Sequence, residues 1–138
     1  MPAKTTGSAA STTIITLSLI GVFLLVAFAL LPRGFSSDVS VIGQGKPVVV
    51  LAHNKDSVQS FNLMDLLNKV RDDYSGTMEF RVVDDTSPQG HAFISKQQVD
   101  LGTLLLFGSD GKRTGVVSDL KDEPALRLAL DSAFPTAP

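Results

Sequence analysis

The chain has 138 residues, with 12 Lys and Arg against 14 Asp and Glu and no cysteine. That length holds one modest domain plus an appendage, and the missing thiols exclude disulfides, thiol redox chemistry and cysteine-based nucleophilic or metal chemistry. Setting aside Lys4 and Arg33 leaves 10 cations against 14 anions beyond Gly34, a net charge of −4 with no basic cluster, so nucleic acid is not an expected partner.

Residues 1–11 are polar, rich in Ser, Thr, Gly and Ala, and without apolar periodicity, which reads as a flexible tail. Residues 12–31 contain no Asp, Glu, Lys, Arg, Asn, Gln or His. At 1.5 Å rise per residue they span about 30 Å, the hydrocarbon thickness of a bilayer, which predicts a transmembrane helix. Thr13, Thr16, Ser18 and Gly21 in its first half are read as side chains that tolerate lipid. Ala27-Phe28-Ala29 has the small-x-small form of a signal cleavage site. The apolar run is longer than the roughly 7–15 residue core of a secretory signal and only Lys4 precedes it, so a retained anchor is expected. Lys4 and the α-amino group on one side nearly balance Arg33 on the other. An uncleaved signal anchor places the N-terminus inside and the C-terminal part on the periplasmic or extracytoplasmic side of the cell (inner) membrane.

Pro32-Arg33-Gly34 ends the apolar run, and residues 32–45 read as a linker in which residues 38–43 form a candidate short edge strand. A globular domain is expected over residues 46–135. Pro47-Val48-Val49-Val50-Leu51-Ala52-His53 supplies the apolar, β-branched run that a strand buried on both faces needs. A helix follows to about Tyr74, with Asp56 and Gln59 as an expected capping box. Leu63, Leu66, Leu67 and Val70 form its core stripe at helical spacing, while Val58, Phe61 and Met64 fall roughly opposite. Glu79-Phe80-Arg81-Val82-Val83 predicts a second strand, parallel to the first through a right-handed crossover. A turn-rich loop leads to a short helix from about His91 to Gln97; Thr103-Leu104-Leu105-Leu106-Phe107 is a second buried strand, and Gly108-Ser109-Asp110-Gly111 turns the chain into an edge strand over residues 112–117. A last helix is expected from about Asp122 to Phe134, with Pro124 in its first turn and Leu126, Leu128, Leu130 and Phe134 as its apolar residues.

This β-α-β-α-β-β-α order resembles the thioredoxin fold, and short motifs carry the likeness. Gly102-Thr103-Leu104-Leu105-Leu106-Phe107 before a glycine turn is similar to the family segment in which a cis-proline precedes Thr-Leu-Leu-Leu-Phe, and Asp72-Asp73-Tyr74 with the helix before it fits the family's first core helix. The resemblance covers residues 46–134. It implies an α/β domain with a four-stranded mixed sheet, to which the linker segment adds a candidate fifth strand, flanked by helices. It also places the family's Cys-x-x-Cys on Ser57-Val58-Gln59-Ser60, its preceding tryptophan on Asp56, its buried acid on Leu51 and its cis-proline on Gly102. Every redox residue of the family is thus replaced. The resemblance implies a redox-inactive member that is not an enzyme, needs no cofactor or metal and takes no small-molecule substrate.

Other chemistry is weakly represented. Ser57 as a nucleophile needs a base, and only His53 and His91 exist; no Gly-x-Ser-x-Gly motif is present. Two histidines with 37 residues between them have no metal-ligand spacing, and Asp72-Asp73 and Asp84-Asp85 read as solvated charge rather than cation ligands. The expected function is a non-catalytic, membrane-anchored domain that binds proteins as an accessory subunit of a membrane complex. Its expected partners are other membrane or periplasmic proteins, and its expected contact residues are Ser57, Val58, Ser60, Phe61, Met64 and Gly102. The alternative is an assembly or chaperone-like factor for exported or cofactor-bearing membrane proteins.

Overall fold

The computed structural model describes residues 2–31 and 34–135, with side chains from residue 10 onward. The chain separates into two compact units, residues 1–34 and residues 35–138.

The first unit is helix α1, Pro2–Leu30. Its stretch Ala10–Leu30 has a mean hydropathy of 2.6 and is long and apolar enough to cross a membrane. The helix also runs through the stretch expected to be a flexible tail. Nucleation is the costly step of helix formation, so once the apolar segment is helical each added Ala, Ser or Thr costs little. The expected stop at Pro32 and Arg33 lies outside the described residues.

The second unit is α/β. Its four strands are β1 (Val48–His53), β2 (Glu79–Asp84), β3 (Thr103–Phe107) and β4 (Arg113–Val117), and its helices are α2 (Val58–Tyr74), α3 (Pro88–Gln97) and α4 (Glu123–Ala133). They form one mixed sheet in the order β2-β1-β3-β4. β1 runs parallel to β2, with Val48 beside Glu79 and His53 beside Asp84, and antiparallel to β3, with Val48 beside Phe107 and Ala52 beside Thr103. β4 returns antiparallel on β3 and keeps an exposed edge, as its polar composition predicts.

All six residues of β1 are buried, the first five completely. Alternation sends Val49 and Leu51 to one face and Val48, Val50 and Ala52 to the other. On the first face they meet Leu63, Leu66, Leu67 and Val70 of α2, the predicted stripe, together with Leu126 and Leu130 of α4. Leu128, expected among the apolar contacts of α4, points to solvent instead, because only one side of that helix meets the sheet. On the second face they meet Val83, Ile94 of α3, Leu105 and Phe107. Each fully buried Val or Leu contributes roughly 1.5–3 kcal/mol.

Helix α3 has ten residues and leaves part of that second face for the segment expected to be a linker. Val39, Val41 and Ile42 pack there, while Phe35 packs against the opposite face beneath the Arg71 guanidinium, 4.0 Å from its ring centroid. The segment crosses the outer edge of β2, where the Val82 amide donates to the Ser36 carbonyl at 3.1 Å and Arg81 Nε donates to the Asp38 carbonyl at 2.9 Å. It forms no fifth strand. Asp38 Oδ1 accepts from the Ser40 amide at 2.9 Å and the hydroxyl at 2.6 Å, which turns residues 39–41 into a 3₁₀ turn. The compact unit includes this segment from Phe35 onward, and its half-buried apolar residues pack against both faces of the sheet.

Helix α3 also starts earlier than predicted. Ser87 Oγ accepts from the Gly90 amide at 3.0 Å and donates to the Asp84 carbonyl at 3.0 Å, and Pro88 occupies the first turn, where its missing N–H costs nothing. Gly90 is buried against that carbonyl, and a Cβ on it would collide with the Asp84 oxygen and the Ser87 hydroxyl. Gly90→Ala should force α3 off β2 and lower stability by about 1–3 kcal/mol, measured by chemical denaturation of the full chain in detergent.

Candidate functional site

The candidate site is the end of the sheet where β1 runs into α2. A buried strand emerging into a helix start leaves the first helical N–H groups without intrahelical partners, and local polar side chains satisfy them. Ser57, with an extended backbone, is the N-cap, and its Oγ accepts from the Ser60 amide at 3.2 Å. The cap therefore lies one residue after the expected Asp56, and the Asp56–Gln59 capping box does not form. Ser60 is fully buried, and its Oγ accepts from the Asn54 amide at 3.2 Å. Asn54 Oδ1 in turn accepts from the Asp56 amide at 2.7 Å, and the Ser57 amide donates to the Asn54 carbonyl at 3.1 Å. Both serine hydroxyls thus act as acceptors that hold the turn.

Gly102 reaches the same place from the start of β3. It is buried, its amide donates to the Ala52 carbonyl at 2.8 Å, and its backbone adopts φ +78°, a region open to glycine without a steric penalty. The Gln59 and Ser60 side chains lie against it. Gln59 reaches further, donating from Nε2 to Asp119 Oδ1 at 3.3 Å and tying α2 to the segment after β4.

The six expected contact residues are brought together unevenly. Val58 is 75% exposed and Phe61 52%, and Ser57 is half-buried. Met64 is half-buried against the α2–α4 core, Ser60 is enclosed, and Gly102 offers backbone alone. The outward surface is therefore Val58 and Phe61 around the Ser57 cap. Asn54 and Asp119 were missed. Asn54 carried a readable signal, an Asx side chain at a strand end that can bond its own backbone two residues on; Asp119 stands 60 positions from Gln59 and carried none.

His53, the last residue of β1, is 7% exposed and packs edge-on against Phe61, with ring centroids 5.2 Å apart and planes at 85°. Its Nδ1 has no hydrogen-bond partner. Among the described residues no hydrogen bond joins His53 to Ser57. The second histidine is remote in role: His91 Nδ1 lies 2.8 Å from Asp85 Oδ1 on the exposed start of α3. Asp84, beside His53 in the β1–β2 register, accepts at Oδ1 from the Thr86 hydroxyl at 2.7 Å and amide at 2.8 Å. These bonds, the hydroxyl first, hold its carboxyl below the usual carboxylate value. Asp73 pairs with Arg127 at 2.6 Å, and no group of three His, Asp or Glu able to hold a metal occurs among the described residues. The adjacent acids thus serve turns and ion pairs.

Ser57→Ala should destabilise the chain by about 1 kcal/mol, whereas Ser57→Asp, which keeps a capping oxygen, should stay within a few tenths; denaturant midpoints measure both. For Asp84 the folded-state value lies below the unfolded one. Its contribution is complete above about pH 4 and is lost as pH falls through the lowered value. Thermal midpoints between neutral and strongly acidic pH should show the stability gap between the parent chain and Asp84→Asn closing on acidification. No protein-family model matches this chain, and no curated protein matches it.

Proposed function

We propose that this chain is a single-pass membrane protein whose α/β unit is a thioredoxin-like, redox-inactive binding domain, an accessory subunit of a membrane protein complex on the periplasmic or extracytoplasmic side. The observation that carries the reading is the pair Val58 and Phe61, exposed side by side in the first turn of the helix that leaves the buried central strand. A first turn has two faces, and here the inner one is fixed by Ser60 while the outer one presents apolar area to water. Phe61 is also held from behind by the His53 ring, so its orientation is set before any partner arrives. A preset aromatic loses little side-chain entropy on contact, which is what favours aromatic anchors in protein interfaces.

Three further features support the assignment. The element order and mixed sheet are those the resemblance to the thioredoxin fold implies, Gly102 lies against the Ser57–Ser60 turn as the motif alignment requires, and α1 is long and apolar enough to serve as the anchor. The serine hydroxyls in the position of the family's cysteines support a non-catalytic role because both accept internal hydrogen bonds.

Affinity purification of the full chain in mild detergent should recover a membrane-protein partner at a stoichiometric ratio, and Phe61→Asp should reduce that recovery at least tenfold without moving the thermal midpoint by more than a few degrees. Recovery unchanged by Phe61→Asp would place the contact elsewhere. A partner recovered only in trace amounts would favour an assembly factor over a subunit.

A further inference from the structure

At the opposite end of the sheet, about 20 Å away along the six residues of β1, a cavity of about 520 Å³ opens between the ends of α2 and α4 and the β3–β4 turn. That volume lies within the range of small-molecule sites. Its apolar walls come from Pro47, Met78, Phe134 and the ring of Tyr74.

Three hydroxyls that line the cavity already donate their protons within the chain. The Tyr74 hydroxyl donates to Asp131 Oδ1 at 2.8 Å, the Thr77 hydroxyl to the Tyr74 carbonyl at 3.1 Å and the Thr114 hydroxyl to the Leu106 carbonyl at 3.2 Å. What these groups present to a guest is lone pairs. Burial, with help from the Asp131 hydrogen bond, pushes the Tyr74 phenol up, so at neutral pH it keeps that proton. Asp131 has no ion-pair partner among the described residues, and the guanidinium near the Tyr74 ring, that of Arg127, is engaged by Asp73 and Glu123. The cavity therefore combines apolar and aromatic walls, hydrogen-bond acceptors and an exposed carboxylate, that of Asp131, with no ion-pair partner among the described residues.

We propose that this cavity binds a small amphipathic amine, with its ammonium on Asp131 and its apolar body against Phe134, Met78 and Pro47. A protonated amine brings three N–H donors and a positive charge to the carboxylate, whereas a neutral alcohol of the same shape brings one donor and no charge. The site is separate from the Val58–Phe61 surface and does not depend on the role of that surface.

The test uses the full chain in detergent micelles with ¹³C-labelled methionine methyl groups. Met78 lines the cavity and Met64 lies up the α2 helix toward its start, so the two report different places. Titration with 2-phenylethylammonium should shift the Met78 methyl saturably and leave Met64 in place. The neutral isostere 2-phenylethanol should bind at least tenfold more weakly. Asp131→Asn, which retains an acceptor for Tyr74, should weaken the ammonium by a similar factor. Absence of a saturable Met78 shift, or equal binding of the alcohol by the unmodified chain, would overturn the proposal whatever the variant's stability.

Discussion

The structure depends on the complete burial of β1. A strand with neither face in water needs backbone partners on both edges and apolar cover on both sides. β2 and β3 supply the edges, α2 and α4 cover one face, and α3 covers only part of the other. Val39, Val41 and Ile42 pack half-buried beside α3, and Phe35 packs against the opposite face. Their passage across β2 also blunts the outer edge of that strand, since the Val82 amide is paired by Ser36.

The same burial shapes the two ends of the sheet differently. Where β1 exits toward α2, polar groups are consumed internally: Ser57, Ser60 and Asn54 bond backbone amides, and Gly102 closes on Ala52. Val58 and Phe61 are left facing outward, beside the exposed Lys55 and Asp56 of the same turn. Where β1 enters, the ends of α2 and α4 and the β3–β4 turn border a hollow in which the Tyr74 hydroxyl donates to Asp131.

Legibility in the sequence followed the range of the interactions. The core stripe of α2 and the buried runs at β1 and β3 were readable because hydrophobic periodicity is a property of neighbouring residues. Helix starts were nearly readable, and the error at Asp56 came from two adjacent residues that can both cap; the backbone at Ser57, extended where the strand releases the chain, decided between them. The strap was misread because Asp38-Val39-Ser40-Val41-Ile42 alternates like a strand. Its carboxylate captures Ser40 and bends it into a turn, and its apolar residues fit a gap left by a helix 50 positions away.

By itself the sequence determined the apolar helix, the α/β class, the order of elements, which strands lie at the centre, and the lack of thiol chemistry, since each follows from composition or from the spacing of nearby residues. Only the tertiary structure decided that Ser60 and Gly102 are enclosed while Val58 and Phe61 are open, that residues 35–42 belong to the domain, and that Asp131 accepts from the Tyr74 hydroxyl. Those outcomes turn on contacts between residues tens of positions apart, where burial and charge pairing are set by three-dimensional proximity, which local pattern does not encode. At the turn from β1 to α2 the sequence named the residues, and packing chose which of them face solvent.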